Sequence, residues 1–246
     1  STSLYGGSIA NGASEEQKRE FLPEVLSGQT FGSFGLTEPN AGSDAGGCVT
    51  VAEKKGDKYV LNGLKCFNTN GPLSNHFAVY ALTQPELKSK GLSCFHVTKG
   101  TPGLSIGKIE NKMGIRSAQV SELVFENCEI PASALIGQEG QGFKIAMKTL
   151  DGGRIGVAAQ GLGIAEGAFE IARKYLMTRE QFGKPIYRNQ YLAFKMAELE
   201  CEIEQAKYML YKAALDKSEG RPYSIPAANA KLFCTNAAMH VTTEAV

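Results

Sequence analysis

The chain has 246 residues, of which 43% are hydrophobic and 21% charged, and its formal net charge is +1. This is the composition of a globular protein that can form one large domain or two ordinary ones. A near-neutral chain has no basic field, so we expect neither nucleic-acid binding nor electrostatic attraction to a membrane. No stretch approaches the roughly 20 apolar residues that span a bilayer, and the N-terminus lacks a signal pattern. A cytoplasm-like location without membrane insertion is therefore expected.

The spacing of cysteines and histidines argues against a metal site or a disulfide framework. Six cysteines are widely separated without a C-x-x-C pair, and the three histidines lack a second ligand at helical spacing. We therefore expect free buried thiols, structural or surface histidines, and no metal. The first residue is not Met, and residues 243–246 contain no helix-ending glycine. We expect both ends to lie inside structured elements of a longer protein.

Residues 1–28 are predicted to be the end of a helical domain. Ser14 and Gln17 have the spacing of a capping box, apolar residues follow at positions 21, 22, 25 and 26, and Gly28 can end a helix. The pattern predicts one short helix before Gly28.

Residues 29–133 are predicted to form a middle β-domain. Lys55-Gly56-Asp57 and Asn62-Gly63 separate successive apolar runs and are typical of hairpin turns, since Asn and Gly tolerate positive φ. An antiparallel sheet or a small barrel is expected. The apolar residues that alternate as in strands are Val49 and Val51, residues 59–61 and 77–82, Phe95 and Val97, and Leu123 and Phe125.

Residues 137–246 are predicted to form a helical bundle, which makes the whole an α+β multidomain fold. One or two helices are expected across residues 142–177, another across 189–218, and a last one capped by Ser224 with Pro226 in its first turn. The middle helix should bury one face, because apolar residues recur along it at spacings of three and four. These residues are Leu192, Met196, Leu199, Ile203, Ala206 and Leu210.

Two segments of the β-domain could bind a ligand. Residues 34–44, Phe-Gly-Leu-Thr-Glu-Pro-Asn-Ala-Gly-Ser-Asp, can turn so that backbone N–H groups converge on a phosphate or a polar ring edge. Residues 67–71, Phe-Asn-Thr-Asn-Gly, offer an aromatic face and a hydroxyl for a planar heterocycle. The alternatives are an ordinary surface loop for the first segment and a plain core aromatic for the second.

Two segments of the helical region could also bind. In residues 150–154, Leu-Asp-Gly-Gly-Arg, Arg154 can hold a carboxylate or phosphate in forked geometry, although an Asp–Arg surface pair is the alternative. Residues 178–185 break the helical pattern and form either a simple helical hairpin or a tip that reaches a neighbouring subunit. Gly161, Gly163 and Gly167 superficially match a dinucleotide loop, but no strand precedes them, so close helix contact is the better interpretation.

These elements, in this order, resemble the acyl-CoA dehydrogenase family across essentially the whole chain. Residues 36–44, Leu-Thr-Glu-Pro-Asn-Ala-Gly-Ser-Asp, are similar to the family's flavin and CoA loop, and residues 67–71 to its usual Trp-Ile-Thr-Asn-Gly. Arg179-Glu180-Gln181-Phe182-Gly183 looks like its Arg-x-x-Phe-Gly tip, and residues 150–165 resemble the short-chain, butyryl-CoA-type members. The resemblance implies a homotetrameric FAD protein of three domains, with most of the first domain absent here.

The resemblance also assigns site residues. Thr37 would lie near the flavin ring and Ser43 near phosphate, while Phe67 replaces the common Trp and lacks its N–H donor. The tip residues Arg179, Gln181 and Phe182 would reach the FAD of a partner subunit. The implied FAD contacts are Phe34, Leu36, Thr37, Gly42, Ser43, Phe67, Asn68, Thr69, Arg179, Gln181 and Phe182, with support from Asn189 and Gln190. The implied contacts to the CoA substrate are Ser43, Asp151, Gly152, Gly153 and Arg154.

The implied reaction is α,β-dehydrogenation of an acyl-CoA, in which a carboxylate removes the Cα proton while hydride leaves Cβ for flavin N5. Electrons would then pass to an electron-transfer flavoprotein. In most members the base is a Glu in a Tyr-Glu-Gly segment beyond the last helix of this chain, and in a few it stands where Gly153 is. We therefore expect no catalytic base here and negligible activity of this chain alone. Glu38 is expected to be structural.

Two other functions remain open. One is a related flavin-dependent acyl-CoA oxidase or monooxygenase, and the other is a non-catalytic acyl-CoA-binding or assembly protein on the same fold. The acyl chain length and the physiological direction, oxidation or enoyl-CoA reduction, are also left open. The location implied is the cytoplasm, or the mitochondrial matrix in a eukaryote.

Overall fold

The computed structural model describes residues 2–246, which form two compact units, one up to Leu150 and one from Asp151 to Val246. The helical segment before residue 28 belongs to the same compact unit as the sheet. The division into three domains at residues 1–28, 29–133 and 137–246 stays a prediction. The α+β fold class itself is confirmed.

Three helices precede the sheet, α1 (Thr2–Gly12), α2 (Glu15–Phe21) and α3 (Pro23–Leu26), where the sequence predicted one. The predicted capping box forms, since the Gln17 N–H donates to Ser14 Oγ at 3.2 Å and the Ser14 N–H donates to Gln17 Oε1 at 3.0 Å. Pro23 has no backbone N–H and starts a new helix, which divides the predicted helix at Leu22. Gly28 follows α3 with φ +79°, as expected of a helix stop.

Eight strands form one mixed sheet. The strand order is β6-β7-β3-β2-β4-β5-β8, and β1 pairs with β4 outside this path. The antiparallel expectation was wrong for two pairings, because β1 and β2 both run parallel to β4. Long connections after β1 and between β2 and β4 allow these parallel neighbours. The strands are β1 (Phe31–Gly35), β2 (Val51–Lys55), β3 (Lys58–Thr69), β4 (Ser74–Leu82), β5 (Leu92–Thr98), β6 (Leu104–Ile109), β7 (Val120–Pro131) and β8 (Leu135–Ile136).

Only one of the two predicted hairpin turns exists. Strands β2 and β3 turn at Gly56, whose φ is +64°. Asn62-Gly63 was predicted as a second turn, but it lies inside β3 at an irregularity in the pairing with β7. Gly63 has φ +150°, and a Cβ there would lie 2.4 Å from Thr50 Oγ1. The same conformational freedom that suits a hairpin therefore serves a bulge and a close approach.

The core of the first unit joins its helices to the sheet. Tyr5 and Ile9 of α1 are fully buried beside Tyr80 and Cys94 of the sheet. Each fully buried aromatic or aliphatic side chain stabilises the fold by about 1.5–3 kcal/mol. A second cluster of strand residues, which includes Tyr59, fills the sheet interior. The loop after β1 is anchored in the first of these cores through Leu36 and Ala41.

The second unit is helical. The helix α4 (Gly142–Thr178) starts in the first unit and continues without a break, and α5 (Gln190–Ser218) and α6 (Ser224–Glu244) follow. Between α4 and α5 lies a small hairpin of β9 (Glu180–Gln181) and β10 (Lys184–Pro185). Ser224 is the first residue of α6 rather than its cap, since Tyr223 holds the N-cap position without a side-chain bond.

The structure confirms the close helix contact predicted at Gly161 and the predicted buried face of α5 at four of its six positions, whereas Leu192 and Met196 are only half-buried. Leu199, Ile203, Ala206 and Leu210 of α5 are buried. A Cβ on Gly161 would lie 3.0 Å from the Cys234 carbonyl oxygen, so α4 and α6 approach closely there. Around Gly163 and Gly167 the space is open, and helix contact does not explain those two glycines.

Within residues 2–246, every helix is too short or too polar to cross a bilayer. All six cysteines are free, and all but Cys201 are buried, which confirms the predicted buried thiols at five positions. Over the same residues, His, Cys, Asp and Glu side chains do not form a group of three able to hold a metal ion.

Candidate functional site

A buried ion pair underlies the loop that follows β1. Lys65 is 0% and Glu38 is 3% exposed, and Lys65 Nζ lies 2.6 Å from Glu38 Oε1. Glu38 also accepts the N–H groups of Val49 at 2.7 Å and Thr50 at 3.0 Å. Lys65 donates in addition to the carbonyl oxygen of Leu36 at 3.1 Å. The pair therefore ties the loop to β3 and to the segment before β2.

These contacts set the charge of Glu38. Burial alone would raise the pKa of its carboxyl, but the Lys65 ammonium and the hydrogen bonds outweigh burial and lower that pKa below its ordinary value. Glu38 is therefore an anion with its oxygens engaged, which agrees with the structural role expected from the sequence. Its carboxylate is not free to take a proton from a substrate.

The rest of the loop forms a tight turn at the surface. Glu38 and Ala41 exchange two backbone hydrogen bonds of 3.1 Å around Pro39-Asn40. Gly42 and Ser43 follow in exposed positions. Because the turn is closed by its own backbone, it presents Ser43 at a defined place beyond the ion pair.

The end of β3 projects an aromatic ring out of the sheet. Phe67 has φ +56° and is 63% exposed, whereas Cys66 and Asn68 on either side are buried. The pairing of β3 with β7 shifts register between Lys65 and Asn68, so the strand is bulged at this ring. A bulky residue at positive φ is uncommon and often marks a functional site. The ring is therefore held outward by the backbone.

Hydrogen bonds bring this strand end beside the loop. The Cys66 N–H donates to the Thr37 carbonyl oxygen at 2.9 Å, and Ser33 Oγ donates to the Thr69 carbonyl oxygen at 2.9 Å. Thr37 and Thr69 are half-buried. The two separate sequence segments predicted to bind one ligand thus form a single surface.

Three of the predicted cofactor contacts point inward by their side chains. Asn68 is 0% exposed, and its Nδ2 donates to the Ser121 carbonyl oxygen at 3.0 Å. Leu36 is buried, and the half-buried Phe34 ring packs against Tyr80 with a centroid distance of 5.1 Å. The side chains of these three residues support the surface from within the fold.

Four of the five predicted substrate contacts, residues 151–154, lie at the start of the second unit, whereas Ser43 lies in the first. Arg154 forms an ion pair with Asp151 one turn before it, and both side chains are partly exposed. A Cβ on Gly152 would lie 2.9 Å from Lys217 Nζ, so this glycine leaves room for the end of that lysine. Lys217 Nζ lies 6.0 Å from the centre of the Tyr223 ring.

Lys217 and Tyr223 extend this cluster, and sequence reasoning missed them. Lys217 lies in the last turn of α5 and Tyr223 directly precedes α6, far along the chain from Asp151, and no local motif includes them. Burial and the Asp151 carboxylate raise the pKa of the Tyr223 hydroxyl, which is therefore neutral at physiological pH. The cluster thus combines two cations, a carboxylate and a neutral hydroxyl.

The predicted break between two helices exists and consists of a small β-hairpin between α4 and α5. Phe182 and Gly183 form its two central residues with φ +55° and +70°, and Phe182 is 90% exposed. Gln181 pairs with Lys184 across the hairpin, and the Ile186 N–H donates to the Arg179 carbonyl oxygen at 2.8 Å. Asn189 takes the N-cap position of α5 and Gln190 is its first residue. The hairpin therefore presents an aromatic side chain to solvent.

Comparison with known proteins establishes the family. The family model for the acyl-CoA dehydrogenase middle domain matches residues 33–128, and the model for the C-terminal domain matches residues 140–246. The chain belongs to the acyl-CoA dehydrogenase family.

Three similar proteins cover nearly the whole chain. The short-chain specific acyl-CoA dehydrogenase of Clostridium acetobutylicum is 51% identical, over 100% of this chain and 65% of its own. The butyryl-CoA dehydrogenase structure from Megasphaera elsdenii is 49% identical with a TM-score of 0.96, over 99% of this chain and 64% of its own. A chain solved in work on the electron transferring flavoprotein of Acidaminococcus fermentans is 52% identical with a TM-score of 0.96, over the same shares of 99% and 64%. This chain therefore spans slightly less than two thirds of these relatives.

FAD is the cofactor of this family, as the sequence predicted. A more distant match, PigA with FAD and proline, is 30% identical with a TM-score of 0.94, over 99% of this chain and 63% of its own.

Proposed function

We propose that this chain binds FAD and the CoA part of a short-chain acyl-CoA, as a part of an acyl-CoA dehydrogenase that forms trans-2-enoyl-CoA. The observation that carries the proposal is the Phe67 ring, which is turned outward at φ +56° beside the Thr37 loop. The short-chain preference rests on the 51% identity with the Clostridium acetobutylicum enzyme.

The surface around Phe67 fits an isoalloxazine ring. A planar heterocycle needs an aromatic or apolar face and hydrogen-bonding groups along its edge. The exposed Phe67 ring provides the first, and Thr37 and Thr69 provide hydroxyl and backbone groups beside it. Ser43, exposed beyond the turn, suits a phosphate oxygen. By this proposal Phe34, Leu36, Asn68 and Gly42 complete the surface through their backbone.

The flavin, when bound, supplies the hydride acceptor for dehydrogenation. The chain's own part is to bind and orient. Asp151, Gly152, Gly153 and Arg154 are proposed to hold the CoA moiety, since a guanidinium on a partly exposed helix turn can make charge-assisted bonds to phosphate or carbonyl oxygens. The base that removes the Cα proton is not Glu38, because that carboxylate is buried and paired with Lys65.

The assembly and its partners follow from the same family assignment. We propose a homotetramer in which Arg179, Gln181 and Phe182 reach the FAD of a neighbouring subunit, and Asn189 and Gln190 support that hairpin. Exposure of 90% for Phe182 is consistent with a ring that is covered only in the assembly. We also propose that electrons leave to an electron-transfer flavoprotein, in the cytoplasm or in a mitochondrial matrix.

Flavin retention tests this function. The purified chain is incubated with FAD, separated from free cofactor by gel filtration, and examined for a visible flavin spectrum, which is expected to remain. Butyryl-CoA added to the FAD-loaded chain should perturb that spectrum, whereas butyrate, which lacks the CoA moiety, should not. A colourless protein would contradict the proposal. Rapid air oxidation of a chemically reduced sample with product bound would instead favour an oxidase.

A further inference from the structure

The Lys65–Glu38 pair connects the two halves of the proposed flavin surface. On one side, Lys65 and Glu38 hold the loop through the Leu36 carbonyl and the Glu38 side chain itself. On the other, Lys65 lies in β3 two residues before Phe67, and its neighbour Cys66 donates to Thr37. One buried contact therefore sets the distance between the loop and the strand end that carries the ring.

The strand geometry at this contact is unusual. In a regular strand, residues two apart point to the same face, so Lys65 and Phe67 would share one environment. Here Lys65 is 0% exposed and Phe67 is 63% exposed. The register shift between Lys65 and Asn68 and the positive φ of Phe67 make this reversal possible. The Lys65 ammonium is thus buried directly beside the bulge that turns the Phe67 ring to solvent.

A buried ion pair by itself adds little to the net stability of a fold. Removing an ammonium and a carboxylate from water is costly, and apolar residues of similar volume often fill such a space equally well or better. The pair does fix the geometry of the surrounding chain, because Glu38 accepts hydrogen bonds from Val49, Thr50 and Lys65 at once. Three chain segments are thereby fixed in one relative arrangement.

We propose that Lys65 and Glu38 are positioning residues for the cofactor: their buried pair holds the 36–38 loop and the Phe67 bulge in the arrangement that binds flavin. This inference rests on the proposed function. Neither residue needs to touch the flavin, since both act through Leu36, Thr37 and Phe67.

The test is a double variant, Lys65→Met with Glu38→Gln, which removes both charges. The glutamine keeps one oxygen as an acceptor for either the Val49 or the Thr50 N–H, which in the wild type donate to different oxygens of Glu38. The expected result is cooperative unfolding near the wild-type temperature but FAD binding weakened at least about tenfold, with an altered visible circular dichroism of the bound flavin. The matched control is Lys58→Met with Glu129→Gln. That pair joins β3 to β7 at 2.7 Å but is about half exposed, and its removal should change neither readout.

Equal FAD affinity and an unchanged flavin spectrum in a folded double variant would overturn the inference. If the double variant does not fold, Glu38→Gln alone is examined without FAD by hydrogen exchange. Faster exchange confined to residues 36–42 and 65–69 supports positioning, and unchanged exchange there refutes it. A wild-type chain that never binds FAD would refute the proposed function, while the exchange measurement would still decide whether the pair fixes the loop.

Discussion

The backbone N–H of Cys66 donates a 2.9 Å hydrogen bond to the carbonyl oxygen of Thr37. This contact joins two segments that lie far apart in the sequence, and the residue after Cys66 is the outward-turned Phe67. A backbone hydrogen bond thus acts together with the buried Lys65–Glu38 pair to align the loop and the ring. Side chains at the surface can therefore be changed with limited damage to the surface itself.

Phe67→Trp should report directly on flavin binding. The chain contains no tryptophan, so the new indole is its only one. If the ring faces the flavin, FAD should quench the emission of this indole almost completely, because stacked aromatic rings are in contact. We expect FAD affinity within about tenfold of wild type, since the aromatic face is retained. Fluorescence titration with FAD measures both.

Phe194→Trp is the matched control, because Phe194 on α5 is also well exposed, at 60%. We expect only partial quenching, through energy transfer, in this variant. Equal quenching of the two indoles would argue that Phe67 does not lie against the flavin.

Arg154→Ala should weaken binding of the CoA thioester without much effect on folding. A charge-assisted hydrogen bond is worth about 1.5–3 kcal/mol, which corresponds to roughly a 10- to 100-fold loss of affinity. The pair with Asp151 is partly exposed, so its loss should hardly change the melting temperature. Calorimetric titration with butyryl-CoA gives the affinity.

The same helix offers a matched control for this change. Arg173 pairs with Glu170 at the same spacing of three residues. Arg173→Ala should leave CoA affinity unchanged, and an equal loss in both variants would mean that general charge on α4, not the Arg154 position, attracts the ligand.

The hairpin between α4 and α5 should matter for assembly rather than for the fold of one subunit. Phe182 is 90% exposed, so Phe182→Ser removes little buried area within the chain. We expect an unchanged melting temperature but weaker retention of FAD on dilution and a lower mass by light scattering. Met113→Ser, at a fully exposed apolar residue of the β6–β7 connection, is the control. Unchanged mass and FAD retention in Phe182→Ser would contradict a role at a neighbouring subunit.

Most elements could be predicted from local patterns, and the misses have local causes. The helices of the second unit follow from apolar spacing, and the hairpin at Gly56 from its turn residues. The predicted turn at Asn62-Gly63 was wrong because a positive φ suits a bulge as well as a hairpin. Only the position of Thr50 distinguishes the bulge from the hairpin. The parallel pairing of β1 with β4 depends on chain connection, which leaves no local signal.

The candidate site was predictable where a motif is contiguous. The loop, the Phe67 segment and the hairpin were found from their own residues. Lys65 was missed, because a lysine in a strand is normally placed at the surface and its partner Glu38 lies in another segment. Lys217 and Tyr223 were missed for the same reason, since only folding brings them to Gly152.

Stability should fall as the pH drops below about 6.5 because of His96. Burial and the neighbouring His76 lower the pKa of His96 to about 3. The unfolded chain binds a proton below about pH 6.5, whereas the folded chain does not until about pH 3. The free energy of unfolding should therefore decrease across this window by up to about 1.4 kcal/mol per pH unit. Urea unfolding at several pH values measures the slope.

His96→Gln should flatten this slope, because glutamine does not titrate. The range from pH 6.5 to 5 is the most informative, since Glu38, whose pKa is lowered, remains ionised there. His76 Nδ1 lies 3.0 Å from His96 Nε2, and Glu24 contacts the other ring nitrogen of His76. The variant retains both Glu24 and His76. His240→Gln on α6 is the exposed control. A slope equal to wild type in His96→Gln would refute this origin.

The FAD-loaded 246-residue chain should not turn over butyryl-CoA above the background of free FAD. The sequence contains no Tyr-Glu-Gly segment, and the resemblance implies that Gly153 occupies the other base position of the family. Glu38 is engaged with Lys65 and is not available as a base. A positioned general base contributes roughly 10²- to 10⁴-fold to such a reaction. Reduction of an artificial electron acceptor measures turnover.

Gly153→Glu tests the same prediction by adding a carboxylate. If Gly153 occupies the position at which a few family members carry the base, the new carboxylate should remove the Cα proton of butyryl-CoA. The bound flavin should then be bleached at least once per site. Gly152→Glu is the neighbouring control, and its side chain would instead meet Lys217 Nζ, which lies 2.9 Å from the place of a Cβ. Bleaching by wild type would show that a base is already present, because proton removal from Cα needs an acceptor within hydrogen-bonding reach.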